Sequence, residues 1–210
     1  MPKALQEQWR GSGINRKGSE AVNTRFSFQE TQLKDAQLIT PFCAEDRRGA
    51  FIKDYSREVF QANGLHHDLA EVFYAASQKG VVRGMHFQRE HQQAKLVRCI
   101  HGCVYDVIVD LRPESKTFLK WQGFWLTGEN LQMLYVPEHF AHGYMVTEDA
   151  IVSYKCNERF YGEYDDGIHY LDPDIGISWP FELIGGVEHV ILSQKDEGLQ
   201  SFQDYQRKYL

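Results

Sequence analysis

From residue 81 to 155 the apolar side chains fall in short runs of four to eight, often alternating with polar neighbours and separated by turn-forming residues. This pattern predicts strands over 81–87, 96–100, 103–110, 121–126, 133–136, 143–146 and 151–155. The breakers between them are Gly80, the His101-Gly102 pair, 112–115, 128–130, Pro137 and the Glu148-Asp149 pair. Short strands at such regular spacing predict an all-β sandwich or barrel. Upstream, Phe26 and Phe28 alternate with polar residues and 38–42 is a second apolar run, so that stretch reads as extended. Val59 and Phe60 follow Ser56, an N-cap candidate, with Gly64 as a stop, which predicts a short helix over 56–62. Beyond Asp165, the residues Asp172, Pro173, Gly176 and Pro180 leave little room for regular structure, and 197–210 has space for a last helical turn or two. Residues 1–24 are polar, with Gly11, Gly13 and Gly18, and read as an arm ahead of a single domain over 25–210.

Composition narrows the class. A chain of 210 residues with 42% apolar content can build one core. With 29 acidic against 23 basic residues the net charge is -6, which argues against general nucleic-acid binding. No apolar run is long enough for a transmembrane helix, and the first residues carry no apolar stretch of a secretory signal, so the expectation is a cytoplasmic protein with no membrane partner. Cys43, Cys99, Cys103 and Cys156 show no Cys-x-x-Cys spacing and are too sparse for a disulfide scaffold, so they read as free thiols. The 13 Phe, 11 Tyr and 4 Trp suit strands and apolar clefts.

The nine histidines raise a metal centre first. Alternate residues of a strand share a face, so a strand-borne site wants His-x-His, which is missing, as is the helical His-Glu-x-x-His. His86 and His91 would point to opposite faces of one strand. The expectation is no metal. Arg83 and His86 share the run 80–88 at an odd spacing, so only a bulge near Gly84 would bring them to one site. Lys95 opens the next strand, and 136–143 places His142 at a turn between strands. Tyr154 shares a face with Val152, and Lys195-Asp196 reads as a solvated loop unless the chain folds back on a barrel mouth. Taken singly, His142 caps a loop, Arg83 pairs with a carboxylate and Tyr154 belongs to the core.

Taken in order, the segments 80–88, 95–112, 115–123, 126–143, 150–156 and 167–180 resemble the dTDP-4-dehydrorhamnose 3,5-epimerase family of the cupin fold. The likeness spans roughly 42–196 and is strongest in Arg83-Gly-Met-His-Phe-Gln88, Lys95-Leu-Val-Arg98, Tyr105-Asp-Val-Ile-Val-Asp-Leu-Arg112 and Val136-Pro-Glu-His-Phe-Ala-His-Gly143. It implies a cupin, or jelly-roll, β-barrel with short peripheral helices, no metal or other cofactor, and a homodimer with exchanged N-terminal segments. The implied activity is inversion of C3, C5 or both in a nucleotide-diphosphate-linked 4-keto-6-deoxy sugar. Carried over by motif, His86 is the base, Asp196 its partner, and Tyr154 the acid on the other face. Lys95 and His142 lie near the developing enolate oxygen. Arg48 and Arg83 meet the diphosphate, Gln88, Asp165 and Lys195 line the nucleotide-sugar site, and Phe160 stacks near the base.

These roles satisfy elementary chemistry. A proton beside a ketone is removable when the resulting oxyanion is stabilised, which an ammonium and a second donor achieve. Histidine titrates near pH 6.5, which suits a base that must shed its proton again, and a phenol of pKa about 10 keeps one to give. The guanidinium fork binds two oxygens of a diphosphate at once. Departures from the family cluster on the nucleotide side: 71–77 replaces a Gln-x-Asn-type segment, Lys53 stands for an acidic residue, His139 stands for Gly, and the loop between His142 and Tyr154 is one residue shorter. The expectation is retained chemistry with a nucleotide or sugar open to change, CDP- or GDP-linked sugars included. A 3,4-ketoisomerase and a sugar-binding cupin without turnover are the competing readings.

Overall fold

The computed structural model describes residues 25–210, so the arm expected over 1–24 lies outside the described residues. Eleven strands form: β1 (Ser27–Glu30), β2 (Gln37–Thr40), β3 (Phe42–Asp46), β4 (Gly49–Lys53), β5 (Glu71–Ser77), β6 (Val82–Gln88), β7 (Lys95–Asp110), β8 (Trp121–Thr127), β9 (Met133–Val136), β10 (Phe140–Cys156) and β11 (Asp165–Gly167). Three short helices accompany them: α1 (Arg57–Ala62), α2 (Gln194–Glu197) and α3 (Phe202–Tyr209). The fold is all-β, as the strand pattern predicts.

Two strands are twice as long as expected. The pairs 96–100 with 103–110 and 143–146 with 151–155 fuse into β7 and β10, which stay hydrogen-bonded to each other from Phe140↔Asp110 to Cys156↔Lys95. The residues read as breakers are bends inside them: the register shifts between Val146 and Val152, opposite His101 to Cys103. Gly102 sits at φ +76°, and a Cβ there would lie 2.0 Å from the Asp149 carbonyl oxygen, so the two bends nest only around a glycine. Each half of the bent pair then builds its own layer. The 95–101 and 151–156 halves carry β1-β2-β9 on one side and β5 on the other. The 103–110 and 140–146 halves carry β8 on one side and β6-β11 on the other.

Between the layers lies a core of Val97, Cys99, Leu134 and Val152 from the first and Val104, Ile108, Leu126 and Val146 from the second. The outer face of the second layer is covered by the chain after Ile168, through Tyr170, Trp179, Ile184 and Phe202. That segment is largely irregular, as its Pro and Gly content predicts, with 3-10 turns at Phe181–Leu183 and Val187–His189. The first layer's outer face takes α1. Six residues cannot hold a helix alone; Phe60, 0% exposed against Ile39, Leu96 and Met133, anchors it at about 1.5–3 kcal/mol. Ser56 is at the N-cap, but its side chain caps nothing.

The bulge anticipated near Gly84 is present. His142 pairs with His86 and Tyr144 with Arg83, so β6 spends one more residue than β10 over this stretch. Arg83 and His86 therefore face inward together. The bulge needs close backbones: a Cβ on Gly84 would sit 2.5 Å from the Gly143 Cα, and one on Gly143 2.6 Å from the Arg83 carbonyl oxygen. Gly84→Ala and Gly143→Ala should each lower the unfolding free energy by about 2–4 kcal/mol. Gly162→Ala, whose Cβ meets only the Phe160 ring at 3.7 Å, should change it by less than about 0.5 kcal/mol. Urea denaturation checks this, and equal midpoints for all three would show a bulge that relaxes without cost.

Candidate active site

The chemistry-bearing side chains converge at one end of the space between the layers. From the second layer come His86 and Arg83 on β6, His142 and Tyr144 on β10, and Asp106 on β7. From the first come Lys95, Tyr154 and Phe73, on β7, β10 and β5. The C-terminal chain folds back on this end with α2, which buries Asp196 and leaves Lys195 exposed at the rim, paired with Asp165.

His86 Nε2 is hydrogen-bonded to Asp196 Oδ1. Asp196 is only 4% exposed and held from two sides: Ser193 Oγ donates to Oδ2 at 2.9 Å and accepts from the Asp196 N–H at 3.1 Å as the N-cap of α2. Burial pushes the Asp196 carboxyl up, but the His86 hydrogen bond and charge, Ser193 and Lys195 outweigh it and hold the group below the ordinary carboxylate value. With Nε2 donating to this carboxylate, the lone pair of the neutral ring is on Nδ1. His86 keeps 28% of its side chain exposed, so the ring is reachable.

A second histidine–carboxylate pair lies deeper. His142 Nε2 is 3.0 Å from both oxygens of Asp106, and the two residues are 4% and 0% exposed. Burial pushes the Asp106 carboxyl up against the pull of His142 and Lys95. His142 stands inside β10 rather than at a turn, because the strand begins at Phe140; the turn is Pro137 to His139. Lys95 makes no hydrogen bond or ion pair with the described residues, and burial pulls its ammonium below the usual lysine value, opposed by Cys156, Asp165 and Asp106.

Tyr154 reaches the gap from the opposite layer. Its ring stacks on Phe73 with centroids 4.8 Å apart at 13° and meets the His142 ring edge-on at 5.9 Å. Burial first, then Tyr144 and Asp106, drive its phenol well above the ordinary value, with only Arg83 opposing. At neutral pH this hydroxyl carries its proton.

The remaining candidates divide. Arg83 Nε donates to Ser77 Oγ at 3.0 Å, and Asp165 on β11 pairs with Lys195, so all of these rim the mouth. Phe160 is 55% exposed, its N–H donating to Glu71 Oε2 at 3.1 Å. Gln88 is buried with its amide given to backbone: it donates to the His91 and Arg159 carbonyls and accepts from the Tyr161 N–H. It braces the loop carrying Phe160. Arg48 is not brought to the others; it sits in the turn of the separate β3–β4 hairpin, forked onto Asp46. Sequence reasoning missed Asp106, Tyr144, Ser193 and the β5 residues Glu71, Phe73 and Ser77. Asp106 had a signal, a carboxylate amid the apolar run of its strand. Among the described residues, no three His, Cys, Asp or Glu side chains group as a metal set.

The family model for dTDP-4-dehydrorhamnose 3,5-epimerase matches residues 30–204. An epimerase of that name from Methanothermobacter thermautotrophicus is 43% identical over 180 residues, 85% of this chain and 96% of that protein. The crystal structure of dTDP-4-dehydrorhamnose 3,5-epimerase from Elizabethkingia anophelis superposes with a TM-score of 0.80 at 38% identity, covering 88% of this chain and 99% of that one. A dTDP-6-deoxy-D-glucose-3,5-epimerase from Legionella pneumophila, solved with dTDP-4-keto-L-rhamnose, gives 0.80 at 36% identity over 85% and 94%. The architecture shared with these structures is the cupin-type jelly roll.

The electrostatics of Asp196 make a stability prediction. Its folded-state pKa is depressed, so its contribution is present above the unfolded value near pH 4 and is lost as pH falls through the folded value. Asp196→Asn should cost about 1–3 kcal/mol at pH 7 and progressively less toward pH 2. Parallel urea titrations of wild type and variant give both values, and a pH-independent gap would mean that the carboxylate's charge contributes nothing.

Proposed function

The chain belongs to the dTDP-4-dehydrorhamnose 3,5-epimerase family, and from that premise we propose that it inverts C3 and C5 of a nucleotide-diphosphate-linked 4-keto-6-deoxy sugar of the dTDP-4-dehydro-6-deoxyglucose type. The observation that carries this is the placement of an oriented base and a protonated phenol on opposite layers of one gap. His86, steadied by Asp196, takes the proton beside the C4 ketone onto Nδ1. The electrons move into the carbonyl, and the enolate oxygen meets His142 and the Lys95 ammonium, which has no partner among the described residues. Tyr154 then delivers its proton to the face opposite His86, and solvent exchange restores both groups. Asp106 holds the His142 ring from behind, and Asp196 stabilises the imidazolium that forms. Arg83 meets the diphosphate at the rim, with Asp165, Lys195 and Phe160 around the nucleotide.

A homodimer with exchanged N-terminal segments accompanies this reading. Among the described residues the β3–β4 hairpin pairs with no other strand, and Phe51 on it is 63% exposed. The outward row of β5, with Val72 49% and Tyr74 63% exposed, is likewise too apolar for a solvated edge. Arg48 then serves the partner's site rather than its own. Sedimentation equilibrium should return twice the 24.4 kDa chain mass; a monomer at micromolar concentration would remove this part of the proposal.

One observation favours a different nucleotide. Glu71 and Phe73 face the gap from β5 where the family pattern has polar amides, so a CDP- or GDP-linked 4-keto sugar is the second reading. Proton NMR in deuterated water, with the dTDP-, CDP- and GDP-linked 4-keto-6-deoxy sugars, decides between them. Deuterium should enter C3 and C5 of one of the three. His86→Ala should lower that exchange at least about 100-fold, while Tyr154→Phe should keep exchange and lose inversion. No exchange in any substrate would end the epimerase reading; entry at one carbon only would make it a single-centre enzyme.

A further inference from the structure

The inward row of β5 is Glu71, Phe73, Ala75 and Ser77, and three of the four touch a residue of the mouth: Glu71 holds the Phe160 N–H, Phe73 stacks on Tyr154, and Ser77 accepts from Arg83. We propose that Phe73 is a positioning residue for proton delivery: its ring, laid flat on Tyr154 from the neighbouring strand, sets the angle of the phenol and keeps water off it. This rests on the reading of Tyr154 as the acid.

Geometry carries the argument. Phe73 and Tyr154 are directly opposite in the β5–β10 register, so their Cβ atoms leave the sheet side by side. The rings lie nearly parallel, 13° apart, a near-face contact that fixes the torsion of both. The other rings beside Tyr154 are not stacked on it: His142 is edge-on and Tyr144 is tilted with centroids 6.5 Å away, its hydroxyl near that of Tyr154. Phe73 is 42% exposed while Tyr154 is 8% exposed. The phenylalanine is therefore the layer between the tyrosine and solvent. Among the described residues β5 pairs only with β10, so this cover comes from a strand with a single hydrogen-bonded neighbour there.

Removing the ring has a chemical signature distinct from loss of packing. A misaligned phenol delivers its proton late, and the enolate is then more often reprotonated by the base that made it, without inversion. Exchange persists while inversion falls. Admitting water also lowers the cost of ionising the phenol. The groups that face Tyr154 are Tyr144 and His142 from β10, Asp106 from β7 and Arg83 from β6; the charged residue on the inward row of β5 is Glu71, engaged with the Phe160 N–H, and Phe73 itself carries no charge, so the change expected on removing it is one of solvation.

The test uses Phe73→Ala, Phe73→Leu and Phe73→Tyr in the full chain, each checked for an unchanged circular-dichroism spectrum. Two readouts are taken: the ratio of deuterium exchange to inversion, with kcat and KM, and the ionisation of Tyr154 followed by its Cζ resonance in ring-labelled protein, assigned by its loss in Tyr154→Phe. Phe73→Ala should lower kcat at least about tenfold with KM within about threefold. The exchange-to-inversion ratio should rise several-fold, and the Tyr154 midpoint should fall by about one unit or more. Phe73→Leu, which fills space without a ring, should restore the midpoint more than the ratio, and Phe73→Tyr should recover both. A raised KM at unchanged kcat would make Phe73 a substrate contact and overturn the proposal. So would a wild-type ratio and midpoint in Phe73→Ala. If wild type neither exchanges nor inverts any substrate, the reading of the function fails instead, and the Cζ titration, which needs no substrate, still shows whether Phe73 governs the phenol.

Discussion

Everything in this molecule depends on β7 and β10 staying hydrogen-bonded to each other through a shared bend. A sandwich of two layers normally needs separate strands for each layer and a connection between them. Here two strands of 16 and 17 residues turn the corner together around Gly102, so each layer is built outward from the same pair. The bend brings Lys95 and Tyr154, near one end of the pair, over Asp106 and His142, near the other. A site between layers needs no loop to position these four groups, and a backbone ladder on either side holds their spacing.

The two histidine–carboxylate pairs show how burial separates roles within one site. Both consist of an imidazole nitrogen on a carboxylate, yet His86 keeps 28% of its side chain exposed and His142 only 4%. The exposed ring can meet a substrate carbon and hand its proton to water afterwards. The buried one is locked by both oxygens of Asp106 and can only present its other edge as a fixed donor or acceptor. Lys95 completes the arrangement. Its ammonium is desolvated and makes no hydrogen bond or ion pair with the described residues, which is costly in the free protein; in the proposed mechanism the arriving oxyanion relieves that cost.

The short-range pattern of the sequence is enough to give the all-β class, α1 and most strand cores, because alternation and turn residues are local facts. It misreads the fusion of the long strands: His101-Gly102 and Glu148-Asp149 carry the composition of a turn, and only the other strand's bend shows that they are corners. β5 is invisible for a different reason. Glu71 to Ser77 has apolar groups on both faces, since Phe73 looks into the site while Val72 and Tyr74 look out, so no alternation of polarity survives. The inward residues His86, Lys95, His142, Tyr154 and Asp196 were named by motif, and Arg83 reached them through the bulge that its spacing demanded. Gln88 came with the same motif, yet its amide is occupied by backbone, which no sequence pattern displays.

The placement of the departures from the family follows from the same architecture. A side chain on β7 or β10 is fixed by neighbours on both sides of its strand and by a core on at least one face, so a substitution there must be matched elsewhere. β5 is an edge with one hydrogen-bonded neighbour among the described residues, and its inward residues touch the rim of the site rather than a closed core on every side. A residue such as Phe73 can enter there without displacing core, and Glu71 can take the Phe160 N–H as its partner. In the proposed mechanism Tyr154, His142 and Lys95 thus stand on the strands that cannot change cheaply, and the surroundings of the phenol and the nucleotide on the strand that can. If Tyr154 is the acid, as proposed, an aromatic ring on that edge couples selectivity to acid strength, because the same ring stacks on Tyr154 and keeps 42% of its surface exposed.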